Sequence, residues 1–337
     1  NGDAVSLSRA KGKIVMVNGR VSGDVYQRLV SAGAVGFISV EGSPLDEGVD
    51  RVPCQRSLPM IFPGDAAEET EGLSESAEDI HKMQEKYSGR IPGANLHYKD
   101  AVELVTEGAS EVCLVVEQDV MACRSRNVVA RIEGTDKKDE ILTITAHYDS
   151  VPEGPGAYDN MAGAAIIMEL CRYFQQYRPR RTMEFVWFGA EEKGLLGSRD
   201  YIRVHESELG AHRFNMNVDL AGQLIGGNVL GVTGEASVCD KLLEIADGAG
   251  IGASVKNQIW GSDSNSFAWK GIPAMTLNRD GFGMHTRYDT IDLLSAWSLE
   301  RSAILLGCIA DALGNAEVFP FERKMPEKFI GELDEYM

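Results

Sequence analysis

The 337-residue chain has no long apolar run. Nothing in it approaches the roughly 18 uninterrupted apolar residues of a membrane-spanning helix, and no charged-then-apolar leader opens it. The expectation is a soluble protein without a membrane span, either cytoplasmic or exported with its leader missing, since a chain beginning at Asn1 leaves an upstream cut open. Positive charge is also short: 33 Lys and Arg stand against 51 Asp and Glu, a net charge of −18. Such a surface repels phosphate backbones, which argues against nucleic acid as a partner. Cysteines are few and scattered. Cys54, Cys113, Cys123, Cys171, Cys239 and Cys308 form no C-x-x-C pair, so no zinc-finger pattern exists. Cys171 and Cys308 lie in apolar helical stretches and read as small buried hydrophobes. Cys113 and Cys123 are spaced so that neighbouring strands could bridge them. No internal repeat is present.

What the chain does contain is 44% hydrophobic residues, enough for one large unit and a smaller one. The first third predicts a small α/β unit, with strands at residues 14–17 and 35–40 around a helix at 25–31. An acidic stretch of small residues follows Pro63, with a helix expected over residues 76–87. Strands resume after Gly93. From about Ser110 strands alternate with helices, which sets the expected boundary: residues 1–109 as an accessory unit and 110–337 as the main one. In the second unit, strands are expected at 112–117, 127–133, 141–146, 182–188, 214–218, 228–232 and 274–277. Helices are expected at 161–177, 192–204, 236–249, 263–270 and 294–313. The implied fold class is α/β: a three-layer α/β/α sandwich with a mixed, mostly parallel sheet, plus the small N-terminal α/β domain.

Ligands of such sheets collect beyond the carboxyl ends of the strands. This chain places its unusual polar residues there: His147 and Asp149 after one strand, Glu191 and Glu192 after the next, then Asp219, then His285 in the loop after Leu277. A His-x-Asp pair suits metal binding, because the imidazole ligates through one nitrogen while a carboxylate fixes the other. Taken alone it equally describes a structural hydrogen-bonded pair. Asp159, in Gly154-Pro155-Gly156-Ala157-Tyr158-Asp159-Asn160, stands where a carboxylate either caps a helix or bridges two divalent ions with its two oxygens. Adjacent glutamates leave the backbone in different directions, so one can bind metal while the other serves a water as general base. In the plainer reading, both favour a helix dipole. His81, His97, His205 and His212 lie on polar or strand-edge stretches without such company; His205-Glu206 and His212 could imitate a metal site but are expected on a solvated helix and loop.

The ordered set His-x-Asp, Gly-Ala-Tyr-Asp-Asn, Ala-Glu-Glu-x-Gly-Leu-Leu-Gly-Ser, Asp and His-Thr-x-x-Asp-Thr, from about Asn127 to Asp292, resembles the co-catalytic di-zinc aminopeptidase family. Glutamate carboxypeptidases and glutaminyl cyclases share that family. The stretch from Lys11-Gly12-Lys13-Ile14-Val15 to Gly33-Ala34-Val35-Gly36-Phe37-Ile38 resembles the protease-associated domain that several members carry. The resemblance implies two zinc ions per chain. His147, Asp159 and Asp219 would hold one, and Asp159, Glu192 and His285 the other, with Asp159 bridging. Glu191 would be the general base and Asp149 the partner of His147. Asp289 would orient the loop bearing His285. This sequence departs from the family at Ser264, where a histidine often stands, and at Met284, where some members have a tyrosine.

The implied reaction is removal of N-terminal residues from peptides with a free amino terminus. Two cations would lower the pKa of a shared water from about 16 to about 7 while Glu191 takes its proton. A carboxypeptidase would need arginines to grip a carboxylate, and Arg279 and Arg287 keep it open. A glutaminyl cyclase, and a non-catalytic binding module on the same scaffold, complete the alternatives.

Overall fold

A computed structural model describes residues 7–19, 21, 23–45, 90–116, 124–152 and 154–337. The chain divides into two compact units, Asn1–Cys123 and Arg124–Met337. The expected helix over residues 76–87, and Cys54 and Cys123, lie outside the described residues.

In the first unit, β1 (Ile14–Asn18), β2 (Gly36–Glu41) and β3 (Gly93–His97) form an all-parallel sheet in that order. Helix α1 (Gly23–Ser31) makes the crossover between β1 and β2, and α2 (Tyr98–Thr106) follows β3 directly. Phe37 and Leu29 are fully buried between these elements, with Val17 and Val21 beside them. His97, the last residue of β3, is buried and caps α2, its Nδ1 accepting the Lys99 N–H at 3.1 Å. Residues 112–116, expected as a strand, are irregular.

The second unit is built on a seven-stranded sheet: β4 (Val128–Ile132), β5 (Lys137–His147), β6 (Arg181–Phe188), β7 (His212–Val218), β8 (Asn228–Thr233), β9 (Ala253–Asn257) and β10 (Ala274–Arg279). Their order is β4-β6-β5-β7-β10-β8-β9. The four central strands β6, β5, β7 and β10 run parallel, while β4 and β8 pair antiparallel to them. One edge therefore collects four carboxyl ends.

Strand periodicity sorts side chains to two apolar faces. Phe185 packs on one side with Leu142, Ile144, Met216 and Leu277, under α3 (Ala162–Gln176), α5 (Ala236–Gly248) and α7 (Ala296–Asn315). Its neighbours Val186 and Phe188 face the other side, under α4 (Leu196–Val204), α6 (Ser264–Trp269) and α8 (Glu327–Tyr336). This is the expected three-layer sandwich. Among the described residues, no helix is long and apolar enough to cross a membrane.

Candidate metal centre

Each candidate side chain is delivered by the end of a central strand. His147 is the last residue of β5. After β6, Ala190 turns into the left-handed region (φ 60°) and starts a short turn, Glu191–Lys193. Asp219 directly follows β7, and Leu220 behind it has φ 70°. His285, in the loop after β10, has φ 59°. With Leu195 (φ 61°) these are the non-glycine residues of positive φ among those described, and all four belong to these loops. Such backbone costs about 1 kcal/mol or more per residue and persists where the surroundings dictate it.

Asp159 sits between the two histidines. Its Oδ1 is 3.1 Å from His147 Nε2 and its Oδ2 is 3.0 Å from His285 Nε2. His147 Nε2 also lies 3.3 Å from Asp219 Oδ1 and 3.9 Å from Glu191 Oε2, while His285 Nε2 lies 3.1 Å from Glu192 Oε1. Two groups of donor atoms result, His147 with Glu191 and Asp219, and His285 with Glu192 and Asp159, each within a sphere suited to one cation. The fit to divalent cations is chemical as well as spatial. Imidazole mixed with carboxylate suits zinc. Glu192 Oε1 is buried with His285 Nε2 at 3.1 Å as its near neighbour, which fits a carboxylate oxygen placed to ligate a cation.

Burial disfavours the charged imidazole of His147, but the charge of Asp219 and contacts with Asp149, Asp159 and Asp219 overcome it and raise its pKa well above the ordinary value. His285 is raised to about 9, with Asp159 and Glu192 again outweighing burial. Burial opposes ionisation of Asp159, yet its two histidine partners hold it down at about 2. Glu191 moves the other way: burial raises it well above the usual carboxyl range, and the like charges of Asp219, Asp263 and Glu192 add to that against His147.

The partners of these groups are only partly those expected. The Asp149 carboxylate is 3.6 Å from His147 Nδ1, and the closer acceptor, at 3.1 Å, is Asp149's own carbonyl. Its carboxylate oxygens accept instead the backbone N–H groups of Glu191 (3.0 Å) and Glu192 (3.2 Å), fixing both glutamates at once. Asp289 is buried, and it holds the Asp159 segment, accepting the N–H groups of Tyr158 (2.5 Å) and Asp159 (3.0 Å). Arg279 is committed elsewhere. Its guanidinium donates to the carbonyls of Gln223 and Leu224 and to Asn228 Oδ1.

Several supporting residues escaped the sequence reading. A hydrogen-bond chain runs from mid-sheet to the site: Asn215 to Thr145 Oγ1, Thr145 to Asn217 Oδ1, Asn217 to Ser262 Oγ, and Ser262 to Asp219 Oδ2 at 2.7 Å. Asn160, joined to Asp159 by a cis peptide, donates to the Val218 carbonyl and accepts from Leu220 N–H, tying the Asp159 and Asp219 loops together. Asp263 is fully buried, with Ser198 as its polar neighbour. Burial, aided by the charges of Asp219 and Asp149 against that of His147, pushes it up to about 7. The available signal was the polar residues at alternate positions of apolar strands, Thr143 and Thr145, Asn215 and Asn217.

Fold and site together define an α/β/α protein with a paired cation-type donor set at the carboxyl edge of its sheet. The model of peptidase family M28 matches residues 127–307, more than half of the chain, and the chain belongs to that family. Aminopeptidase YwaD of Bacillus subtilis (strain 168) is 30% identical over 161 residues, 48% of this chain and 32% of that protein. Leucine aminopeptidase 2 of Trichophyton rubrum is 30% identical over 55% of this chain and 40% of its own length. Carboxypeptidase Q of Rattus norvegicus is 26% identical over 68% of this chain and 51% of its own length. The chain thus spans from about a third to a half of these relatives. Among solved structures, BSAP, a zinc aminopeptidase from Bacillus subtilis, superposes with a TM-score of 0.67 at 22% identity, covering 95% of this chain and 74% of that one. A peptidase M28 precursor from Shewanella amazonensis gives 0.64 at 24% identity, covering 95% and 72%. These likenesses show the shared fold.

Proposed function

We propose that this chain is a zinc-dependent aminopeptidase that removes N-terminal residues from peptides. The observation that carries it is Asp159, whose two oxygens face the imidazoles of His147 and His285 as a bridging carboxylate would. His147, Asp159 and Asp219 would hold one zinc, and Asp159, Glu192 and His285 the other. When bound, the two ions would supply positive charge that lowers the proton affinity of a water and polarises the scissile carbonyl. Glu191, although its carboxylate lies in the donor cluster with His147 and Asp219, is assigned to neither zinc and is the general base: Oε2 accepts the proton of the attacking water and returns it to the departing amine. Asp149 keeps Glu191 and Glu192 in place through their backbone N–H groups. The aminopeptidase names of two relatives support this specificity. Of the two arginines that would serve a carboxypeptidase, Arg279 spends its guanidinium on Gln223, Leu224 and Asn228, which leaves Arg287 alone to grip a substrate carboxylate. The N-terminal unit we assign as a protease-associated accessory domain, on its sequence resemblance.

Hydrolysis of aminoacyl-p-nitroanilides beside their N-blocked forms tests this reading, with zinc content measured. Cleavage confined to free-amine substrates, with about two zinc ions per chain, is expected. Glu191→Gln should lower kcat about 100- to 10,000-fold with the zinc retained. Cleavage of blocked substrates, or full activity in that variant, would refute it.

A further inference from the structure

His285 is carried by a turn with little apolar hold of its own, since Phe282 is 66% exposed and Met284 45%. The turn closes from Gly283 to Thr286, where the Gly283 carbonyl accepts the Thr286 N–H at 3.1 Å and its hydroxyl at 2.6 Å. Downstream, Asp289 ties the loop to the Asp159 segment: its carboxylate accepts the N–H groups of Tyr158 and Asp159, and its carbonyl that of Ala157 at 3.2 Å. Upstream, the tie is Gln223, in the loop after β7. Its side-chain amide donates to the Phe282 carbonyl at 2.6 Å and accepts the Phe282 N–H at 3.0 Å, pairing with that residue as a neighbouring strand would. Gln223 is itself fixed. It is 3% exposed, forms a bridge with Leu294, and its carbonyl accepts Arg279 Nε at 2.6 Å. Arg279 ends β10, and its own carbonyl accepts the hydroxyl of Tyr158, the neighbour of Asp159. A closed path thus runs from the end of β10 through Arg279 and Gln223 back to the turn that bears His285. Gly281 makes room for it: a Cβ there would fall 2.6 Å from Gln223 Cδ and 2.7 Å from Oε1.

We propose that Gln223 is a positioning residue for His285: it sets the loop so that Nε2 meets Asp159 Oδ2 and Glu192 Oε1, and thereby governs how tightly that one of the two cation positions is held. The other position draws His147 and Asp219 directly from the ends of β5 and β7, which the sheet holds without this loop. The chemistry of the clamp is specific. A primary amide offers a donor and an acceptor side by side in one uncharged plane, as a backbone N–H and C=O pair requires, and asparagine is one methylene shorter. Groups that orient metal ligands without touching the metal typically contribute about 10- to 100-fold to its affinity. Local sequence gives no hint of this residue, because Gly222-Gln223-Leu224 carries no motif and its partner lies 59 residues further on.

The inference rests on the two-zinc reading, and one set of titrations separates the two. Metal-free wild type, Gln223→Met, Gly281→Ala, the double variant and His285→Ala are titrated with zinc by calorimetry and with cobalt(II) by visible absorption. Methionine keeps the length and stem of Gln223 and makes neither hydrogen bond. Gln223→Met is expected to weaken one of the two ions about 10- to 100-fold, the same ion that His285→Ala loses, and to leave the other nearly unchanged. The cobalt spectrum should lack the matching increment. Gly281→Ala, which pushes the amide off Phe282, should do the same, and the double variant should be no worse than either single one, since both remove one contact. Unchanged affinities in both single variants, equal weakening of both ions, or additive losses in the double variant would overturn the role of Gln223. If the wild type binds fewer than two zinc ions, the two-zinc reading fails and the inference goes with it. Two ions bound as tightly by Gln223→Met as by wild type remove Gln223 alone.

Discussion

At the level of single residues, His212 shows how burial sets a charge state away from the site. It opens β7, is 1% exposed, and places Nδ1 2.6 Å from Thr143 Oγ1. Burial, reinforced by the charges of Arg131 and Arg323, lowers its pKa to about 4. The unfolded chain takes up this proton near pH 6.5, and the folded chain only near pH 4. The neutral imidazole's contribution is therefore complete above about pH 6.5 and lost as pH falls from there to about 4, at most about 3 kcal/mol in all. Urea unfolding of wild type and His212→Gln at pH 4.5, 5.5 and 7 should show the wild type losing stability more steeply on acidification; parallel pH dependences would rule this out. The sequence placed His212 on a solvated stretch because its neighbours Ala211 and Arg213 are unremarkable, and solvation is decided by the strands on either side. The candidate ligands were legible for the opposite reason. Acidic and imidazole groups directly after apolar strands have few other uses, as at His147, Glu192 and Asp219. Their supports were not legible: nothing local says that Asp149 reaches the glutamate N–H groups 42 and 43 residues away, or that Ser262 reaches Asp219.

At the level of elements, the start of α3 is shaped by one side chain. Asn160 Oδ1 accepts the Gly163 N–H at 3.2 Å, and a Cβ on Gly163 would fall 2.4 Å from that same oxygen. In most helices Gly→Ala stabilises, by about 1 kcal/mol. Here Asn160 cannot swing away without giving up its bonds to Val218 and Leu220, so Gly163→Ala is expected to destabilise by about 1–3 kcal/mol. Because Asn160 ties the Asp159 and Asp219 loops together, zinc affinity should fall as well. Thermal denaturation with a zinc titration checks both, and a raised Tm would contradict the steric account. The central strands and α3, α5 and α7 were readable from periodicity, since each is apolar on a face that the sheet needs covered. Elements at the margins were not: β9 reads Ala-Ser-Val-Lys-Asn with little burial, and α8 exposes most of its residues. The 112–116 stretch shows the converse, valine-rich yet irregular, because strand propensity without a partner strand forms no ladder.

At the level of the whole molecule, charge and metal are one question. The chain carries −18, and at the sheet edge Asp159, Glu191, Glu192 and Asp219 converge on two imidazoles. If the cluster binds zinc as proposed, zinc binding and stability are linked. Zinc at about 100 times its dissociation constant should add about 2.7 kcal/mol. For a unit of this size that corresponds to a Tm rise of roughly 5–10 °C. The first unit supplies an internal control, because among the described residues both donor clusters lie in Arg124–Met337. Unfolding enthalpy scales with residue number, which marks the larger unit's transition wherever two are resolved. Calorimetry with and without a chelator should therefore move the transition of larger enthalpy and leave the other in place. A chelator that strips the zinc without moving either transition would mean that the cluster holds no structurally coupled cation, and the bridging role of Asp159 would fall with it.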